Sequence, residues 1–358
     1  MVRPLSLLGS VLASNFKRLA LPYKLTLILT NQCNFTCKIC EAWKMKPKIE
    51  VSSEEVRVFF KKNRNFSWVN VSGGEIFTKS DVEEIMFLII NESNDLQIFN
   101  FPTNGYFTEE TLRLVQKMLN SCKARIGVTV SIDGSPGLHD EIRGVAGAWE
   151  NAARTYRALR EIRHPRLIVK VGYTLQPQNI NNFHQFYNDL RARIPEIEIS
   201  DIHLNLYHYS PHYYMTKGGY ELKKEILDSL MIINEHYSGI RIKNIVDFVE
   251  YIYRRNLNSF ILKGISPFPC QALSSSCFID PLWNVYPCAI FDFPLGNLRD
   301  YGHELKGLWE SLPAKKALAE INRGNCPQCW TPCEAYQSIL AFLPYLKRKI
   351  KSYSCDGA

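Results

Sequence analysis

Between Leu25 and Leu206, short apolar runs alternate with longer stretches whose apolar positions recur every three or four residues. The runs predict strands near 23–30, 68–72, 96–103, 125–132, 167–175 and 199–206, and the amphipathic stretches predict helices near 53–63, 81–91, 108–120, 149–163 and 181–193. Such alternation implies a parallel sheet with helical crossovers, an α/β fold. Periodicity alone leaves a partial barrel and a doubly wound sheet both open. No run approaches the roughly 20 apolar residues of a membrane span. The first stretch, Leu5 to Leu19, has a positive start and an apolar middle. It reads as an amphipathic helix, because a strand begins at Tyr23 and leaves no room for a cleaved leader. Near the other end, Ile339 to Lys351 joins an apolar segment to a basic one. Helices of this kind lie on anionic membranes, and they equally pack on a barrel or at a dimer contact.

Polar residues collect where the predicted strands end. The first is followed by Cys33-Asn34-Phe35-Thr36-Cys37-Lys38-Ile39-Cys40, a C-x3-C-x2-C triplet. Iron–sulfur cubes are usually held by four cysteines, so three in one loop leave one iron open to another ligand. Structural zinc would want a fourth cysteine or histidine close by, and disulfide frameworks belong to small secreted domains. The second run ends in Gly73-Gly74-Glu75, the third in Thr103-Asn104-Gly105, and the fourth in Ser131-Ile132-Asp133-Gly134 followed by His139-Asp140-Glu141-Ile142-Arg143-Gly144. A glycine pair after a strand is commonly a plain turn, although glycine also admits close approach to the backbone. All these residues sit at carboxyl ends of strands, where barrel enzymes place their sites.

In this order the motifs resemble those of the radical S-adenosylmethionine (SAM) superfamily. The resemblance implies a partial (β/α)6 TIM-like barrel with a [4Fe–4S] cluster on Cys33, Cys37 and Cys40, whose open iron is chelated by SAM. It places Gly73, Gly74 and Glu75 at the SAM amino group, with Glu75 its acceptor. Asn104, Ser131 and Asp133 would lie near the ribose and methionine, and Arg143 near the carboxylate, for which Arg is well suited. In that chemistry one electron cleaves SAM to a 5′-deoxyadenosyl radical that abstracts hydrogen from substrate. The cofactor performs the hard step and the protein positions it. A reductant such as ferredoxin or flavodoxin is implied as partner.

Outside the triplet there are eight cysteines, seven of them in the last 90 residues. Cys270, Cys277 and Cys288 surround Ile279-Asp280-Pro281-Leu282-Trp283-Asn284-Val285-Tyr286-Pro287-Cys288, and Cys326, Cys329 and Cys333 follow in C-x2-C-x3-C spacing. This resembles a SPASM or twitch extension, a small cysteine-rich C-terminal domain, and implies at least one auxiliary [4Fe–4S] cluster. Trp283 stands where that family usually has glycine, and the tail is shorter than a two-cluster SPASM requires. Cys270, Cys288, Cys326 and Cys329 make one complete site, with Cys277 and Cys333 as alternates or ligands of a further cluster. Structural zinc is the competing reading. Cys122 reads as a buried thiol and Cys355 as a free one. The implied division is an N-terminal extension at 1–22, the core barrel at 23–215, connecting helices at 216–265, the auxiliary domain at 266–336 and a basic tail at 337–358.

With 358 residues, 46% of them hydrophobic, the chain can build one large domain and one small one. Eleven cysteines without a secretory context argue for a reducing, cytoplasmic compartment. The net charge of +8 favours an acidic substrate or surface, while no nucleic-acid module is visible and no nucleic acid is expected as partner. Charge and amphipathic ends lean the substrate towards a lipid-linked or membrane-surface molecule, with peripheral association at the inner face of the membrane. A peptide or protein maturase is the alternative, and a non-catalytic iron–sulfur or zinc scaffold a third. The ring-rich stretch Tyr207-His208-Tyr209-Ser210-Pro211-His212-Tyr213-Tyr214 is a candidate substrate loop or a packed one.

Overall fold

Each apolar run forms a strand and each amphipathic stretch a helix. The structure, a computed structural model, describes residues 7–45, 50–216, 218, 222–240, 242 and 244–353, with side chains to 342. After α1 (Leu7–Ser14) come β1 (Lys24–Ile28), α2 (Ser53–Lys62), β2 (Trp68–Ser72), α3 (Val82–Glu92), β3 (Ile98–Thr103), α4 (Thr108–Ser121) and β4 (Arg125–Ser131). Then follow α5 (Pro136–Arg143), α6 (Ala148–Glu161), β5 (Leu167–Leu175), α7 (Phe183–Arg193) and β6 (Ile202–Leu206). The helices α8 (Lys223–His236), α9 (Ile245–Arg255) and α10 (Leu257–Lys263) lead to β7 (Ser276–Ile279), β8 (Asn284–Tyr286) and β9 (Gly296–Asn297). The chain closes with α11 (Leu305–Trp309), α12 (Leu312–Arg323) and α13 (Pro332–Tyr353). Helix α5, which carries His139 and Arg143, is the core element that periodicity misses. It starts at a proline, ends at Gly144 in the left-handed region, and is only eight residues long.

The strand order is β6-β5-β4-β3-β2-β1-β7-β8-β9. Strands β1 to β6 are parallel and each crossover steps one place in the same direction. A doubly wound sheet would reverse at a switch point, so the sheet is of the partial-barrel type. Strand β7 joins the other side of β1 in parallel, Leu25 opposite Cys277, and the antiparallel β8 and β9 complete one nine-stranded sheet. The cysteine-rich C-terminal segment is thus built onto the barrel edge.

Alternate strand positions face opposite ways. On β5, Val169, Val171, Tyr173 and Leu175 are buried, and Tyr173 packs on Phe183 and Phe186 of α7 at 5.1 and 4.6 Å between ring centres. Towards its middle the opposite face of the sheet carries polar and small residues. In-register Asn70 and Asn100 are hydrogen-bonded at 3.0 Å, a Cβ on Gly127 would overlap Asn100, and Ser131 sits opposite Gly172. Below them the buried Lys24 ammonium lies 4.6 Å from the Trp68 ring centre and donates to Gln337 Oε1 at 2.6 Å and to the Cys333 carbonyl. Val11 of α1 shares a buried cluster with Tyr23 and Trp68, with Tyr336 and Leu340 of α13 packed against it.

The basic side chains expected beyond Leu343, and Cys355, lie outside the described residues. Among the described residues no helix is long and apolar enough to cross a membrane.

Candidate active site

The cysteine triplet begins directly beyond β1 and is held by the neighbouring strand ends. Gly74 N donates to the Thr30 carbonyl at 2.8 Å and Glu75 N to that of Gln32 at 2.9 Å. A Cβ on Gly74 would overlap the Gln32 carbonyl, and one on Gly73 would stand 2.7 Å from the Thr30 oxygen. The glycine pair is therefore required by the approach of the cysteine loop's own backbone, a nearer cause than approach by a ligand. Cys33, Cys37 and Cys40 are half-buried. Burial pushes the Cys33 thiol up to about 12 and that of Cys40 to about 11, so metal must displace protons there. Phe35 N already points at Cys33 Sγ, 3.4 Å away.

Glu75 is buried, and its carboxylate accepts from Asn104 N at 2.7 Å, Thr103 Oγ1 at 3.1 Å and Phe77 N at 3.4 Å. Burial is the main influence and raises its pKa to about 7 against the pull of these donors. Asn104 Nδ2 donates to Asn34 Oδ1 at 2.8 Å, tying the third strand end to the triplet loop. Ser131 ends β4, half-buried. Asp133 is fully buried and accepts from Thr174 N at 2.8 Å, and its Oδ2 pairs with Arg143 Nη2 at 2.5 Å. Arg143 Nη1 lies 3.9 Å from Cys37 Sγ, and its Nε is buried without a partner. Asp133 and Arg143 thus form one unit, where the resemblance treated them as separate contacts. His139 accepts from Asp133 N through Nδ1 at 3.0 Å, and burial, then the Arg143 charge, holds it well below the usual histidine range.

At the other site Cys270, Cys288, Cys326 and Cys329 line one cleft, together with Trp330 and Glu334. Backbone or amide N–H groups already face their sulfurs: Ala272 N on Cys270 at 3.4 Å, Phe291 N on Cys288 at 3.3 Å and Gln328 Nε2 on Cys326 at 3.3 Å. Donors of this kind tune cluster thiolates, and the donor set fits an iron–sulfur cluster. Cys277 stands apart on β7, opposite Leu25, and Cys333 lies beyond the cleft at the start of α13. Neither is among the residues lining the cleft, although both lie near Glu334, which does line it. Cys122 donates to the Met118 carbonyl at the end of α4.

The loop 207–216 bridges the two sites. Glu41 N, beside Cys40, donates to the Tyr214 carbonyl at 2.9 Å. Ser210 Oγ donates to the Ala289 carbonyl at 2.6 Å, and His212 Nε2 meets the Cys288 carbonyl at 3.0 Å. The Tyr213 phenol is hydrogen-bonded to Ser72 at 2.8 Å, just ahead of the glycine pair. Sequence reasoning flagged this stretch by its rings but had no sign of its partners. It also missed Thr103 and Asn34, whose roles depend on which strand ends meet.

Fold and site together define a partial barrel with one cysteine triplet beyond its first strand and a second cysteine cleft at its edge. The sequence matches the Radical SAM superfamily over residues 27–190 and the SPASM iron–sulfur cluster-binding domain over 270–334. The chain thus carries a radical SAM domain followed by a SPASM-type iron–sulfur cluster-binding domain, a pairing that implies SAM, a [4Fe–4S] cluster and auxiliary iron–sulfur binding. Among curated relatives it is 28% identical over 162 residues to the sporulation killing factor maturation protein SkfB of Bacillus subtilis (strain 168), covering 44% of this chain and 37% of that one. The match spans well under half the length of that relative. Among solved structures it resembles anSMEcpe with bound AdoMet (TM-score 0.62, 15% identity, 92% of this chain and 99% of that one). It also resembles Streptococcus suis SuiB bound to S-adenosylmethionine (TM-score 0.60, 13% identity, 84% and 68%). At these identities the two structures speak to the fold.

Proposed function

We propose that this protein is a radical SAM peptide maturase. The observation that carries the reading is the similarity to SkfB, a maturation protein, in a chain that also has the SPASM-type domain. Cys33, Cys37 and Cys40 would hold the cluster to which SAM binds. When bound, the pair supplies a deoxyadenosyl radical. Glu75 would accept the SAM amino group, Asn104, Ser131 and Asp133 would orient its ribose and methionine, and Arg143, whose buried Nε has no partner, would offer a donor to its carboxylate. Cys270, Cys288, Cys326 and Cys329 hold the auxiliary cluster. A one-electron donor of ferredoxin or flavodoxin type would be the partner that supplies the reducing electron.

The test is anaerobic reconstitution followed by iron and sulfide counts, deoxyadenosine formation from SAM under reducing conditions, and incubation with a synthetic peptide library read by mass spectrometry. About eight irons per chain, deoxyadenosine and altered peptides are expected. Zinc in place of iron, with no SAM cleavage, would mean a scaffold. One observation favours a membrane-surface substrate: Leu8 and Phe16 at the N-terminal helix are 69% and 86% exposed. Flotation with anionic liposomes, together with SAM cleavage but unaltered peptides, would shift the conclusion to that reading.

A further inference from the structure

We propose that Arg143 is a positioning residue for the cysteine triplet itself, bridging the buried Asp133 carboxylate to the Cys37 thiolate and raising the reduction potential of the cluster whether or not SAM is bound. The proposal rests on the radical SAM reading of the triplet and goes beyond it, since a residue serving only the SAM carboxylate would leave the SAM-free cluster unchanged.

The geometry is that of a clamp. The last turn of α5 lies along the triplet loop, with Thr36 N donating to the Arg143 carbonyl at 3.2 Å and Lys38 N to that of Ile142 at 2.9 Å. Lys38 and Glu141 add an exposed ion pair at 2.5 Å. Gly144, at φ +70°, closes the turn where any Cβ would overlap Thr36 Oγ1. Main chain and side chain of Arg143 thus address the same loop.

Its guanidinium is not free to swing away. Nη2 is 2.5 Å from Asp133 Oδ2, the two side chains being 15% and 0% exposed. Asp133 is fixed in turn by Thr174 N on Oδ1 at 2.8 Å and by Asn179 Nδ2 on its carbonyl at 2.8 Å. Nη1 then has Cys37 Sγ at 3.9 Å. Arginine carries five donors in a rigid fork and does not lose its charge, so a bidentate role towards carboxylate and sulfur is within its means. Reduction adds an electron to a cluster that is already anionic. A fixed cation and an N–H donor beside one of its sulfurs both favour the reduced form.

The experiment is a potentiometric titration, read by electron paramagnetic resonance, of the reconstituted full-length protein without SAM, with iron per chain measured on each sample. Arg143→Met should move the triplet cluster to lower potential, and Arg143→Lys should move it less, because one ammonium cannot span both partners. The auxiliary cluster should not move in either of them. Full iron with an unmoved triplet potential in Arg143→Lys and Arg143→Met would overturn the proposal. A wild-type triplet that binds no iron would instead overturn the radical SAM reading beneath it.

Discussion

Trp283 occupies a position where the backbone wants glycine, and replacing it measures two opposed effects. Its φ is +67°, and an L-residue in the left-handed region costs about 1–2 kcal/mol. Against that, its indole is fully buried, 5.3 Å from the Phe59 ring centre and 4.8 Å from that of His303. Truncating a buried tryptophan costs about 3–5 kcal/mol, and glycine adds about 0.5–1 kcal/mol of chain entropy. Packing wins, so Trp283→Gly should lose about 3 kcal/mol net. Trp283→Ala keeps the backbone penalty and loses the packing, so it should be the less stable of the two. Urea unfolding of the reconstituted protein, followed by circular dichroism at equal protein concentration, gives the midpoint shifts. A Trp283→Gly protein as stable as wild type would refute the packing argument. A Trp283→Ala protein more stable than Trp283→Gly would refute the backbone one.

Further outcomes are expected elsewhere. Cys288→Ser should cost the auxiliary cluster, about four irons per chain, whereas Cys277→Ser should keep the full iron load; equal losses would place Cys277 among the ligands. Glu75→Gln preserves an acceptor for Asn104 N but removes the charge, so SAM binding by equilibrium dialysis should weaken by about 1.5–3 kcal/mol, tenfold or more, and unchanged affinity would remove Glu75 from the SAM site. His208 is held down to about 3, chiefly by burial. It is neutral in the fold, so its contribution is intact above pH 6.5 and is lost as pH falls from 6.5 towards 3, at up to about 1.4 kcal/mol per pH unit. His208→Gln should flatten that part of the stability–pH curve, and an unchanged slope would show that His208 is not the group being protonated.

Much of the site was legible because barrel enzymes draw their chemistry from strand ends, and strand ends are local features. The six strands and five long helices announce themselves through burial periodicity. Helix α5 did not, because eight residues carry too few turns for a period to show, and its start is a proline after a serine that reads equally as a loop. Strand β7 escaped for a related reason: four residues, all buried, have no alternation to detect.

Trp283 shows the same divide within one residue. Its place in the hairpin motif marked it as a departure from glycine, but that the chain still takes a positive φ there follows from Phe59 and His303, which are distant in sequence. The amino-acid order sets which groups are available: three thiols in one loop, a carboxylate after a glycine pair, an arginine eleven residues past Ile132. Whether Arg143 addresses SAM alone or also Asp133 and Cys37, and which four of six C-terminal cysteines share a cleft, depends on contacts between elements far apart along the chain. Spacing and periodicity report neighbours within a turn or a strand. Pairing across the barrel is settled by the packing of whole elements, and there β7 against β1 and α5 against the triplet loop place the charges and the sulfurs.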